Sequence, residues 1–382
     1  MARSMTSKIT LFIASIAMSA CIMFGLALPA SALESDASDS PDALVAAQSL
    51  ATAARTSLKN LSGTVDKCVA GNGSSYYTPS AQFTFKIAGL PADAYVTLVS
   101  DSNKKGYSYV SNVAAGKVTL YVSGVGTHKI RLSALGKTFT CKAVLRVLNV
   151  KKTSNIKHTG GLVAYPGYRS ALKVAATGVK APKAKWWTSN KRVVTVNKKG
   201  VVKAKRKGRA YVKAKYKGAT VKVLVEVTSR SAYEAVRNAF YDVDQNITYS
   251  QAYRMSEGYR DCSSFVSRCY WDETQGRHIF AIGDWAKSWA LTAAGQAQWL
   301  DQQGKCIAWG AVSAKKLRPG DTVYYKTGYA GENTEWLGID HAALYVGNGC
   351  LAQTHGGGGK DLGITPYYEG QAGCMFIGRP CP

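Results

Sequence analysis

Two residues of this 382-residue chain have the surroundings that nucleophilic catalysis needs. Cys262 stands in Tyr259-Arg-Asp-Cys-Ser-Ser-Phe-Val-Ser-Arg-Cys-Tyr-Trp271, where Phe265, Val266, Cys269 and Tyr270 recur at helical spacing behind it. A thiol at the start of a helix faces unsatisfied N–H groups and the positive end of the macrodipole, both of which favour the thiolate. A lone cysteine is usually a small core residue, so the second residue matters. His341 opens Gly338-Ile-Asp-His-Ala-Ala-Leu-Tyr-Val-Gly-Asn-Gly349, which reads as a strand. An imidazole placed beside the thiol would take its proton and later deliver it to a leaving amine. A third polar group should hold the far ring nitrogen. Gln353 and His355 both qualify, and strand alternation puts the two on one face.

The elements that would position these groups are helical first and extended later. Ala232 to Tyr241 carries Tyr233, Val236, Ala239 and Phe240 at helical spacing, and Asp261 to Trp271 forms a second helix. Lys316 to Tyr325, His341 to Val346 and Cys350 to Thr354 read as strands. That order predicts an α+β domain over 229–382.

Upstream, the pattern is different. Arg3 and Lys8, the apolar run Ile9 to Leu28 and the small residues Ala30-Ser31-Ala32 together form an export leader, 1–32, cut after Ala32. A helical or flexible linker, 33–61, follows. Phe83 to Ile87, Ala94 to Val99, Lys117 to Val122 and His128 to Leu132 then alternate with period two between turn residues, predicting an antiparallel β-sandwich over 62–150. Cys68 and Cys141 lie near its two ends, where a disulfide would join first strand to last. Residues 151–228 repeat the all-β style with valine and lysine in alternation. Charge is concentrated there: the segment holds 21 Lys+Arg against 1 Asp+Glu, whereas 1–150 holds 14 against 7 and 229–382 holds 14 against 15.

The motifs of the last domain resemble those of the NlpC/P60 family, papain-like cysteine peptidases of bacterial walls. Asp261-Cys-Ser-Ser-Phe-Val266, Leu317-Arg-Pro-Gly-Asp-Thr-Val323 and Asp340-His-Ala-Ala-Leu-Tyr-Val-Gly-Asn-Gly349 match family motifs in order and rough spacing. The resemblance implies a peptidoglycan endopeptidase, acting through an acyl-enzyme on Cys262 with His341 as base. It places the third catalytic group twelve residues after that histidine, at Gln353 rather than His355. It also implies an upstream tyrosine at the oxyanion site, Tyr249 with Tyr253 as alternative, and binding of a stem-peptide amine by Asp261 and Ser263. Either of the last two can equally serve as a helix cap. Ser264 stands where the family has glycine, and Tyr249-Ser-Gln-Ala-Tyr-Arg254 replaces an aromatic-Gly-Gly run, which bears on substrate preference. Residues 151–228, with Trp187-Thr-Ser-Asn-Lys-Arg-Val-Val-Thr-Val196, resemble a group 2 bacterial Ig-like (BIG2) domain.

The whole chain therefore reads as two all-β Ig-like sandwiches followed by a papain-like α+β domain. The expected protein is a monomeric, secreted hydrolase, extracellular or held at the wall. It acts on peptidoglycan stem peptides, most often at the D-γ-glutamyl to diamino acid bond, with anionic wall polymers as partners of the basic module. It has no nucleic-acid partner, no membrane span once the leader is removed, no cofactor and no metal. Gly356 to Gly359 lacks the Lys-Ser/Thr and following helix of a phosphate loop. Cys306, Cys350, Cys374 and Cys381 lack the close pairing of a zinc site and read as core thiols or disulfides. Two alternatives stand beside this reading: an N-acetylmuramoyl-L-alanine amidase, and a non-catalytic wall-binding adhesin.

Overall fold

The structure is a computed structural model that describes residues 63–71, 78–272, 277–278, 281–328, 334–354 and 361–381. The expected leader and linker, His355 and Gly356 to Gly359 lie outside the described residues. The chain is mostly β, in several sheets. It divides into two compact units: 1–149 with 175–182 and 216–220, and 150–174 with 183–215 and 221–382.

In the first unit, β1 (Thr64–Ala70), β2 (Ser80–Lys86), β3 (Val96–Asp101), β4 (Ser108–Ala114), β5 (Lys117–Ser123), β6 (Gly126–Ala134) and β7 (Lys137–Val150) form two sheets, ordered β1-β7-β6-β3 and β2-β5-β4. Alternation decides what is buried. Phe83, Phe85, Val118, Leu120 and Val122 from one sheet meet Ile130, Leu132, Phe139 and Leu145 from the other in one core. One pairing departs from the antiparallel expectation, since β1 runs parallel to β7. That register also keeps Cys68 from Cys141. Cys68 sits beside Arg146 and Thr64 beside Lys142, so the two cysteines are displaced along the strands by about 16 Å, beyond disulfide reach. All eight cysteines among the described residues are unbridged.

In the second unit, β8 (Leu162–Ala164), β9 (Arg169–Ala171), β11 (Lys185–Thr188), β12 (Val194–Val196), β13 (Val201–Ala204), β14 (Gly208–Tyr216) and β15 (Ala219–Val227) supply sheets β11-β14-β15-β8 and β12-β13-β9, whereas β10 (Val174–Ala176), most of which belongs to the first unit, pairs with β7 there. Val194, Val202, Val212, Val223, Val225 and Val227, with Leu162 and Leu172, make a second core, and the alternate lysines face outward.

Next comes α1 (Arg230–Asp244), capped by Ser229, whose hydroxyl accepts from Ala232 N. The short strands β16 (Thr248–Tyr249) and β17 (Tyr259–Arg260) pair in parallel, and α2 (Cys262–Cys269) follows at once. Two small antiparallel pairs, β18 (Trp271–Asp272) with β19 (Arg277–His278) and β20 (Gly283–Asp284) with β21 (Trp289–Ala290), lead to α3 (Ala293–Gln302). The last strands are β22 (Cys306–Trp309), β23 (Thr322–Tyr325), β24 (His341–Gly347), β25 (Cys350–Thr354), β26 (Leu362–Pro366) and β27 (Cys374–Gly378). They form one antiparallel sheet ordered β22-β27-β23-β24-β25-β26. Helices cover one face, burying Val236, Phe265, Leu300, Tyr324 and Leu344 together. Val323, Tyr325, Tyr345, Leu351 and Tyr367 form a separate core on the other face. Because both faces are covered, β24 is buried at every position after His341 and shows no polar alternation.

The turn between β24 and β25 is gripped from the preceding sandwich. Glu226, 2% exposed, accepts from Asn348 N and pairs with Arg209 at 2.5 Å. Arg209 in turn donates to the carbonyls of Ala314 and Leu317. Gly347 has φ +94°, and a Cβ there would stand 2.8 Å from the Glu226 carboxylate, so only glycine admits this approach. Replacing Glu226 with Ala would strand the half-buried Arg209. We expect a loss of about 3–5 kcal/mol, read as a lower denaturation midpoint, with Glu226→Gln less damaging because it keeps an oxygen for Asn348 N.

Candidate functional site

Cys262 is the first residue of α2. Asp261, its N-cap, accepts from Ser264 N at 2.6 Å, and Ser264 Oγ accepts from Asp261 N at 2.9 Å, a complete capping box. Ser263 Oγ donates to Asp261 at 3.1 Å, and Arg254 pairs with the same carboxylate at 3.1 Å. The polar atoms of Asp261 and Ser263 are thus engaged in fixing the helix start, and both residues are buried.

The thiol sits against the beginning of β24. Its Sγ lies 3.8 Å from the carbonyl oxygen of Asp340, and the N–H of Ala342 also reaches it. These two backbone groups bracket His341. They are open to sulfur because β24 and β25 pair only from Leu344↔Ala352 toward the turn, so the strands part where the thiol enters. Asp340 anchors that end of the strand, accepting from Thr327 N at 2.7 Å and Gly328 N at 2.9 Å.

His341 Nε2 lies 2.9 Å from Gln353 Oε1, and Gln353 Nε2 donates to Thr365 Oγ1 at 2.8 Å. With the amide nitrogen committed to Thr365, its oxygen faces the ring, so Nε2 carries the proton and Nδ1 the lone pair. The Tyr325 ring stands 6.0 Å from the imidazole on the neighbouring strand. Tyr249 is held by β16 and by its N–H, which donates to Asp361 at 2.8 Å. Burial raises its hydroxyl above the usual phenol range, and the nearby Cys262 adds to the rise, so the two groups feel each other. Tyr253 is 62% exposed and lies tilted against Tyr259. Cys262, His341, Gln353 and Tyr249 are therefore brought toward one region, Tyr253 faces solvent, and His355 lies outside the described residues.

One electrostatic expectation is corrected. A helix start alone would lower the thiol, yet burial pushes Cys262 up to about 12, and the Asp261 carboxylate adds to the rise. The Ala342 and Ser263 N–H groups and Arg254 pull the other way without reversing it. Removing sulfur from water costs the anion more than one short helix returns. The resting group is then a neutral thiol, and ionisation requires a base.

Three supporting residues had no signal strong enough to be singled out from sequence. Gln296, fully buried on α3, donates to Ser263 O at 2.7 Å and Leu291 O at 3.1 Å, and Tyr324 Oη donates to it at 3.3 Å. It ties the first turn of α2 to the sheet. Thr292 ahead of an Ala-rich run, which caps α3, was the available cue. Arg254 reaches the Ala290 and Leu291 carbonyls while holding Asp261, and Asp361 places Tyr249.

Two other features compare poorly as reaction centres. In the first unit, His128 Nδ1 meets Asp101 at 2.7 Å and Ser108 Oγ donates to the same carboxylate at 2.8 Å. The hydroxyl bonds the acid and not the ring, so the imidazole is not placed to take its proton. A cavity of about 1000 Å³ opens beyond β17, bordered by Asp242, Arg260, Arg268 and Trp285; the thiol is not in its lining.

No family profile and no curated protein matches the sequence. Among solved structures, the chain is similar to NlpC1 from Trichomonas vaginalis, with 11% identity, TM-score 0.26, and 80% of this chain and 95% of that one covered. It is also similar to a variant of a three-Ig fragment of titin, with 10% identity and TM-score 0.25 over 45% of this chain. A third is the surface-layer protein SbsC, domains 4 and 5, with 18% identity and TM-score 0.18, covering 36% of this chain and 77% of that one. The chain spans 64% of the titin fragment's own length. At such scores no shared fold follows.

The neutral thiol has a measurable consequence. Alkylation of Cys262, followed peptide by peptide in the folded protein, should keep accelerating from about pH 7 to about pH 10 as the raised thiol ionises. A rate already level near neutrality would mean that the thiolate is preformed.

Proposed function

We propose that this chain is a secreted peptidoglycan hydrolase of NlpC/P60 type, cleaving stem-peptide amides through Cys262. The observation that carries the reading is the approach of the Cys262 sulfur to the backbone on either side of His341, whose ring is oriented by Gln353 at 2.9 Å. The motifs around Cys262, Leu317 to Val323 and His341 support it independently.

In this reading, substrate binding brings the scissile carbonyl over Cys262. His341 Nδ1 takes the thiol proton as sulfur attacks, so charge develops only when the base can share it. Holding the thiol neutral at rest makes His341 a true general base. Gln353 keeps Nε2 protonated and the ring turned. The carbonyl oxygen, now negative, receives the Cys262 N–H, which the first helical turn leaves outside the i→i−4 ladder, and the Tyr249 hydroxyl. The imidazolium then protonates the departing amine, leaving a thioester on Cys262. Water, deprotonated by the same histidine, cleaves the thioester and returns the thiol.

The bond we assign is D-γ-glutamyl to diamino acid, with Asp261 and Ser263 near the stem-peptide amine. Their engagement in the cap makes them chiefly organisers of the helix start. Residues 1–32 act as the export leader, and the basic sandwich holds the enzyme at the wall.

Cys262→Ala should reduce release of soluble fragments from purified peptidoglycan by about 10³-fold or more. Tyr249→Phe should lower kcat by about 10²-fold with KM little changed, as expected for a single oxyanion donor. Mass analysis of the products should show new diamino-acid amines. Release of intact stem peptides would reassign the enzyme as an amidase, and unchanged digestion by Cys262→Ala would remove thiol catalysis altogether.

A further inference from the structure

The acidic residue of segment 151–228 is Glu226, and it is buried against Arg209. No carboxylate side chain of the segment is therefore left to face water, while its lysines stand outward. An ordinary surface mixes both signs. The strand registers sharpen the point. Lys185 lies directly opposite Lys215 across β11 and β14, and Trp187 opposite Lys213. In the other sheet, Arg169 lies opposite Lys203. Like charges facing each other across a sheet destabilise it, and two such pairs in one small sandwich have no internal counterweight.

The outer face of β11, β14 and β15 gathers Lys185, Trp187, Tyr211, Lys213, Lys215 and Lys222. Tyr211 is 39% exposed and Lys222 Nζ stands 5.0 Å above its ring. Lys213 and Lys215, two positions apart on β14, set ammonium groups about 7 Å apart along the strand, with Lys185 adding a second row.

We propose that this face binds a linear phosphodiester polymer of the cell wall. The argument is charge complementarity with geometry. A row of ammonium groups needs a partner that repeats its negative charge along a line, and a single small anion would neutralise only one position. The exposed cations of this face are lysines, since Arg209, which shares the outward side of β14, is taken up by Glu226 and two carbonyls. Lysine meets phosphate as a compact point charge, whereas bidentate carboxylate recognition favours arginine. Trp187 and Tyr211 offer apolar surface between the cations, against which the carbon linkers of such a polymer can lie. The choice of a wall polymer over a nucleic acid rests on the export reading given above; polyanion binding itself does not.

Binding of the full-length protein to soluble poly(glycerol phosphate), which contains no peptide bond, tests this without catalysis. Affinity should fall steeply with salt. The triple change Lys185→Glu, Lys213→Glu, Lys215→Glu should weaken binding by about 30-fold or more at low salt and flatten the logarithmic salt slope by about two to three. Lys185→Glu alone sets opposite charges across the register, so it should raise the thermal midpoint while still lowering affinity, which separates lost binding from lost folding. Hydrolysis of soluble muropeptides by the triple variant should match the parent, so a failure of binding and a failure of the hydrolase reading are told apart. Equal affinity and slope for parent and triple variant would overturn the proposal. So would at least tenfold tighter binding of single-stranded DNA carrying the same number of phosphates, which would assign the face to nucleic acid.

Discussion

The insertion of one sulfur atom into the gap between β24 and β25 organises the last part of this protein. Cys262 opens α2, and α2 must lie across the sheet for Sγ to reach the backbone at Asp340 and Ala342. Everything nearby serves that placement. The capping box with Arg254 on Asp261 fixes where the helix begins. Gln296 fastens the same turn to α3 and the sheet, and Phe265 and Val266 bury the following turn in the main core. An error of one residue in the helix start would rotate the sulfur by about 100° and remove it from the strand.

The histidine side of the contact is held from two ends. Asp340 ties the beginning of β24 to the Thr327 and Gly328 amides. The far turn is clasped by Glu226, a residue of the neighbouring sandwich. One buried carboxylate thus joins the basic module to the hairpin that carries His341 and Gln353. Burial raises the Glu226 carboxyl above its ordinary range while Arg209 and the Asn348 amide oppose that rise. Grouping of residues 150–174, 183–215 and 221–382 into one compact unit follows from such contacts. A sandwich built only as a spacer would have no need of them.

Electrostatics around the thiol run against the simplest view of a helix-borne cysteine. The same carboxylate that caps α2 stands next to the sulfur and disfavours its anion, and burial works in the same direction. Helix-cap stability and thiolate formation therefore compete at Asp261. In the proposed reaction that competition is relieved, because the proton leaves only as His341 accepts it, with the ring held by Gln353.

Much of this was legible beforehand, and for local reasons. Period-two alternation marked Phe83 to Ile87 and His128 to Leu132, and helical spacing marked α1 and α2, because burial of one face is written into residue order. Valine–lysine alternation likewise announced a sheet with a cationic exterior. What alternation could not convey was which strands become neighbours. Parallel pairing of β1 with β7, and the register that separates Cys68 from Cys141, arise from the path of the whole chain. The helix Ala293–Gln302 has only a weak apolar stripe, because its buried face is mostly alanine with a glutamine among them, and that glutamine is Gln296. Residue types and spacing by themselves determined the candidate pair, Cys262 with His341, since a thiol at a helix start and an imidazole at a strand start are local features. Only the tertiary structure decided how far the sulfur is buried, that Gln353 faces the ring and that Glu226 holds the turn. Each of these depends on groups distant in sequence meeting in a desolvated place, where pairing and burial, not residue identity, set the energy.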